Sequence, residues 1–243
     1  MGKCRAFGIE LFKQSKRTAM KAIVALITFL LSFLTSNILQ SQTINWENLK
    51  SEERHILNVN SGWDYSFVYG LSYGYHLKTK MPIILESSIS FASGEVIFDD
   101  FKIKIGGQIH IYRIENFRFS TAIHGIYRRY GNPIVTLQNF GADASITMGY
   151  YKPKWFVAGE FGFDKAIVTH FKHSEIYKDV YPEVKNGWYE PSTGGNFNFG
   201  VQGGYSFGKS DLTLRAGKVM TQDFKTTSMI PFYVQLGYNY KLD

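Results

Sequence analysis

The sequence predicts an all-β protein, an antiparallel transmembrane β-barrel of about ten strands behind a cleaved N-terminal signal peptide. Three observations carry this. An apolar leader with basic residues before it opens the chain. The remainder alternates apolar and polar residues with period two, the mark of strands with two different faces. The connections between those strands alternate between short and long, the plan of membrane barrels.

The leader comes first. Residues 22–34 form an apolar run, with Lys21 before it and the small residue Ser41 at the end of the polar stretch that follows. This matches a signal peptide cut after Ser41, giving a leader of 1–41 and a mature chain that begins at Gln42. Met20 heads a compact signal peptide by itself, so 1–19 reads as an upstream start-site extension. The apolar run is shorter than the roughly 20 residues of a spanning helix.

The leader also explains the charge. The chain carries a net +7. Six of its 27 Lys/Arg but one of its 20 acids fall in 1–41, so the rest is near neutral. No basic stripe points to nucleic acid. The one cysteine, Cys4, lies in the leader, so the mature chain has no disulfide or thiolate chemistry. No cofactor and no metal is implied.

Residues 42–54 are expected to be a short periplasmic segment, and 55–243 the barrel. Ten strands are expected at 55–63, 66–77, 82–92, 101–113, 117–130, 139–151, 155–168, 196–208, 211–222 and 231–241. If the first pair is one bent strand, the count falls and eight becomes possible. In 101–112, Phe101, Ile103, Ile105, Ile109 and Ile111 lie on one face, and Lys102, Lys104, Gln108, His110 and Tyr112 on the other. The six prolines (82, 133, 153, 182, 191 and 231) fall in connections or at strand starts, where no ladder hydrogen bond is lost. Short connections lie at 78–81, 115–116, 152–154 and 208–210. The others lie at 93–100, 131–138, 169–195 and 223–230. An even count puts both termini on the short-turn side.

The apolar face is nearly free of charge, with Lys218 the main exception. Lipid demands this, since Arg or Lys at the bilayer midplane costs roughly 2–4 kcal/mol. The polar face carries Glu86, Lys102, Lys104, His110, Arg118, His124, Arg128, Asp143, Glu160, Asp164 and Arg215. A ten-stranded barrel is near the size that side chains fill, so these charges are expected to pair and plug the lumen. Aromatics gather near strand ends as girdles, among them Trp63, Tyr65, Tyr73, Tyr150, Tyr151, Trp155, Tyr205 and Tyr238.

This pattern resembles the small single-chain outer-membrane β-barrel proteins of Gram-negative bacteria. Gln42 and the Tyr/Phe-rich strands are most similar to those of Bacteroidetes. The resemblance covers 55–243 and implies a bacterial outer-membrane location, with outer-membrane lipid and the barrel assembly machinery as partners. Members often end on an aromatic residue; here Tyr240 is followed by Lys241, Leu242 and Asp243.

Enzyme signatures are weak. Asp99-Asp100 offers paired carboxylates, but omptin proteases face theirs with an Asp–His pair. Only His170 and His173 are at hand here. His170-x-x-His173 with Glu175 suits zinc by residue type, but no further ligand cluster accompanies it. Ser87 and Thr121 lack a base on their own face. The expectation is a barrel without enzymatic activity that serves a structural, binding or adhesion role through its extracellular loops. The alternatives are a lipid-modifying or omptin-like enzyme, or a narrow pore. The contact surface for a protein or glycan ligand is expected on the longest connection, 169–195, at His170, His173, Tyr177, Tyr181, Trp188 and Tyr189.

Overall fold

A computed structural model describes residues 43–94, 96, 98–191 and 194–243; the expected leader and its cleavage point lie outside the described residues. In chain order the strands are β1 (His55–Trp63), β2 (Phe67–Leu77), β3 (Ile83–Ala92), β4 (Asp100–Ile114), β5 (Phe117–Gly131), β6 (Val135–Lys152) and β7 (Trp155–His173). After them come a short helix α1 (Glu175–Val180), β8 (Gly187–Tyr189), β9 (Gly195–Phe207), β10 (Ser210–Thr221) and β11 (Phe232–Leu242). Ten strands close a single antiparallel sheet, with β1 paired to β11 and β6 to β7; β8 is added to the upper part of β7. Asp64 sits in a tight turn that separates β1 from β2, which excludes the single bent strand. His55 pairs with Leu242, so the barrel begins and ends on the short-turn side.

Alternation sets the two faces. Exposed Ile105, Ile123, Val157, Val201, Leu214 and Leu236 look outward, whereas Glu86, Lys104, His124, Glu160 and Arg215 are buried in the lumen. Water would drive those apolar side chains inward, whereas lipid leaves them where they are. No helix among the described residues is long and apolar enough to cross a membrane; the strands cross instead.

The outer face carries two aromatic belts. On the short-turn side Phe117, Tyr150 and Trp155 stand 5.5 and 5.7 Å apart. On the long-loop side Phe91, Phe101, Tyr127 and Phe140 follow one another across β3 to β6 at 6.5, 5.9 and 5.0 Å. Phe117 to Tyr127 on β5 and Phe140 to Tyr150 on β6 each span ten residues. At a strand rise of 3.3 Å and a tilt near 40° that is about 25 Å, the height of the apolar band of outer-membrane barrels.

The wall is uneven. Strands β1, β2, β3, β10 and β11 have 9 to 12 residues, enough for one crossing, but β6 has 18 and β7 has 19. β6 and β7 continue past the upper belt. Their extensions fall in the connections expected at 131–138 and 169–195. The reason is a bulge between Phe140 and Gly141 opposite Ile167. The extra residue, Ile167, breaks the period-two phase of β7, so that strand looks finished there in sequence. A second bulge, between His110 and Tyr112 on β4, turns Tyr112 outward opposite Phe119 and corrects its expected polar-face position. Two supposed girdle residues also move: Tyr151 is buried inside, stacked 5.0 Å from Phe156, and Tyr65 packs at the mouth of the lumen.

Candidate functional site

The lumen is filled in three layers. At the short-turn end, residues 43–50, expected as part of a periplasmic segment, enter the barrel. Ile44 and Trp46 pack against the inward-facing Ile56, Ile84, Tyr151, Phe156 and Ala158. Polar bonds fix the segment in place. Asn45 donates to the Lys152 carbonyl and to Ser206 Oγ, both at 2.9 Å. Asn239 donates to the Thr43 carbonyl at 2.7 Å. Glu47 pairs with Arg118 and, at 3.4 Å, with Arg113. Lys241, fully buried, holds Asp211 at 2.9 Å and the Asn48 carbonyl at 3.3 Å.

The middle layer holds two charge clusters. His124 stands between carboxylates, with Nε2 3.0 Å from Glu86 and Nδ1 2.8 Å from Asp143. Lys104 pairs with the same Asp143, and Gln108 donates to Glu86. Gly106 makes this possible: a Cβ there would collide with the backbone and ring of His124. On the other side of the barrel Arg215 binds Glu160 at 2.6 Å and Gln235 at 3.0 Å, and Tyr233 donates to Glu160. Gly217 leaves the space that the Tyr233 ring occupies. Asp164 accepts from Asn196 and Asn198 at 3.3 and 3.4 Å.

The top layer is the β1–β2 turn folded inward. Asp64 binds Lys102 at 2.6 Å. Tyr65 lies between two cations, 4.3 Å from Lys102 Nζ and 4.0 Å from the Arg128 guanidinium. Arg128 in turn forms a two-pronged bond to Asp100 at 3.0 and 2.8 Å. Two lumenal cavities measure about 30 and 20 Å³, each room for roughly one water. Buried charges need partners, and the eleven ionisable residues expected on the polar face each have a polar partner in this network, His110 through Arg118 at 3.2 Å. Glu47, Asp64, Asp100, Asp211 and Lys241 complete it and were missed. Asp64 and Asp100 sit at the ends of strands, where turn residues and lumenal residues look alike.

Above the membrane, β6, β7 and β8 form a flap. Its first face continues the upper belt: Trp188, 58% exposed, lies 6.0 Å from Phe140 and 4.8 Å from His170. Its second face gathers Phe171 with Tyr189 at 5.2 Å, His173 with Tyr177 at 5.5 Å, and Tyr177 with Tyr181 at 4.9 Å. The helix that presents Tyr177 starts at Ser174, whose hydroxyl accepts from the Tyr177 amide, an N-cap. All six expected contact residues thus lie on one flap, but His170 and His173 are three apart on a strand and face opposite ways. No group of three or more His, Cys, Asp or Glu assembles a metal site among the described residues.

The other hydrolytic sets also come apart. Asp100 opens β4 rather than capping a loop, and it pairs into the lumen with Arg128, while Asp99 turns toward Arg129 at 3.5 Å. Ser87 faces outward opposite Ile105, Thr121 donates to the Ser145 carbonyl, and His124 faces inward.

No protein-family model matches the chain, and no curated protein does. Solved structures do. An outer membrane channel from Pseudomonas putida F1 aligns with a TM-score of 0.51 at 11% identity, over 83% of this chain and all of that one. The outer membrane protein Ail of Yersinia pestis aligns more loosely, with a TM-score of 0.29 at 13% identity, over 79% of this chain and all of that one. The fold is that of the bacterial outer-membrane β-barrels, and its apolar, aromatic-belted exterior is a surface for the outer membrane.

Proposed function

We propose that this protein is a closed outer-membrane barrel that binds or adheres through its extracellular flap. The observation that carries the reading is the contrast between a lumen packed in three layers and a wall whose two longest strands rise past the upper aromatic belt. Aromatic side chains held on a strand scaffold present large, rigid contact area at small entropic cost, which suits stacking on sugars or anchoring a protein loop. Tyr181, Trp188 and Tyr189 are each about half exposed.

The test is to trim 174–190 and compare the two proteins on a glycan array and on a panel of purified extracellular matrix proteins. The pairing of β7 with β9 stops at Lys165, below the trimmed segment, so the barrel is expected to stay folded and heat-modifiable. Loss of specific binding with the fold intact supports the reading. Equal binding by the trimmed and intact proteins moves the contact surface elsewhere.

A further inference from the structure

The outer face of β10 carries a cation inside the lipid band. Lys218 is exposed and lies directly opposite Phe199 of β9 and Phe232 of β11, both outward-facing. It stands three residues from Thr221, the end of its strand. Along a tilted strand that places its Cα about 5–8 Å below the long-loop edge of the band. A lysine stem can cover such a distance and bring its ammonium to the headgroup level.

Two other cations of this rim are held by the protein. Lys165 donates to Gln222 Oε1 at 3.0 Å and to the Pro191 carbonyl at 3.4 Å. Arg129 donates to the Phe98 carbonyl and pairs with Asp99. The Lys218 ammonium has no hydrogen bond or ion pair among the described residues. The acid of the connection after β10, Asp223, is turned into its own loop. It accepts from the Lys225 and Thr226 amides and from the Thr221 and Thr226 hydroxyls. Those bonds engage both carboxylate oxygens and hold the carboxyl down at about 2.

An ionisable residue on a lipid face is costly, and its partner is to be sought where its charge can reach. At this height the abundant anions are lipid phosphates. We propose that Lys218 is a lipid-headgroup site: its ammonium binds the phosphate of an anionic lipid in the outer leaflet, with Phe199 and Phe232 flanking the acyl chains. The anchored lipid holds its phosphate at the depth the ammonium reaches, which free phosphate does not.

The proposal is tested on the folded mature barrel by native mass spectrometry during titration with phosphatidylglycerol or phosphatidylcholine. Wild type is expected to bind phosphatidylglycerol more tightly. One lysine near a charged lipid surface is worth about a fivefold change, so Lys218→Met should lower phosphatidylglycerol affinity by about that factor and leave phosphatidylcholine unchanged. Lys218→Arg should retain it. Lys225→Met, on the exposed loop, should change it less. Excess inorganic phosphate should not compete. Equal lipid binding by wild type and Lys218→Met overturns the proposal, and competition by inorganic phosphate overturns the lipid as the source.

Discussion

At the short-turn end, the chain folds its own N-terminal segment into the barrel, and Ile44 and Trp46 cover an apolar patch on the lumenal wall. At the long-loop end, the β1–β2 turn closes the lumen with Asp64 and Tyr65, and beside it β6 and β7 leave the membrane to build an aromatic flap. The plug uses its aromatic residue to seal, and the flap uses its own to display. The difference follows from what surrounds each ring. Tyr151 and Phe156 stack within the barrel at 2% exposure, whereas Trp188 of the flap is 58% exposed. Buried rings stabilise, while exposed rings at a rim are available to a partner.

Substitutions can break this contrast from the sealed side. Arg215→Leu leaves Glu160 buried without its cation, and such a loss costs about 3–5 kcal/mol. Urea-driven unfolding from bilayers should register it, and the double change Arg215→Leu with Glu160→Leu should recover most of it. Trp46→Ala empties a large site and should cost about 3–5 kcal/mol; protease added on the short-turn side should then cut the N-terminal segment. Ile105→Arg puts a charge on the lipid face near midplane and should cost about 2–4 kcal/mol, measured by folding into bilayers. Gln108, one strand position from Gly107 on the lumenal face, gives a less direct control because it already bonds Glu86. The smallest effect sharpens the contrast from the open side: Tyr181→Ser on the flap should change stability by within about 0.5 kcal/mol while weakening any binding the flap supports.

The ten crossing strands were readable in sequence because lipid outside and charge inside enforce strict alternation across the band. Lys102, Lys104 and Arg215 keep to one phase and Ile105 and Val201 to the other. Reading failed where that constraint lapses. Past the bulge at Phe140 and Gly141 no lipid enforces the phase, and the flap looked like loop. The N-terminal plug had no periodic signal of its own. A trace of it lay on the barrel wall, where Ile56, Ile84, Phe156 and Ala158 are apolar residues on the lumenal phase near the short-turn end. Such a patch needs a cover, and Ile44 and Trp46 supply it. The charged residues of the candidate network could be named in sequence, but the carboxylates that hold Lys102, Arg128 and Arg118 came from turns and from the plug, which alternation does not reach.

Planar-bilayer recording of the refolded mature barrel probes the closed lumen most directly. With the plug, the Arg215–Glu160 and His124 clusters and the Asp64–Tyr65 turn all in place, inserted protein should show no discrete conductance steps across the physiological voltage range. Stable, ohmic openings from folded, heat-modifiable wild-type protein would mean the lumen is a pathway, and function would then lie inside the barrel rather than on its flap.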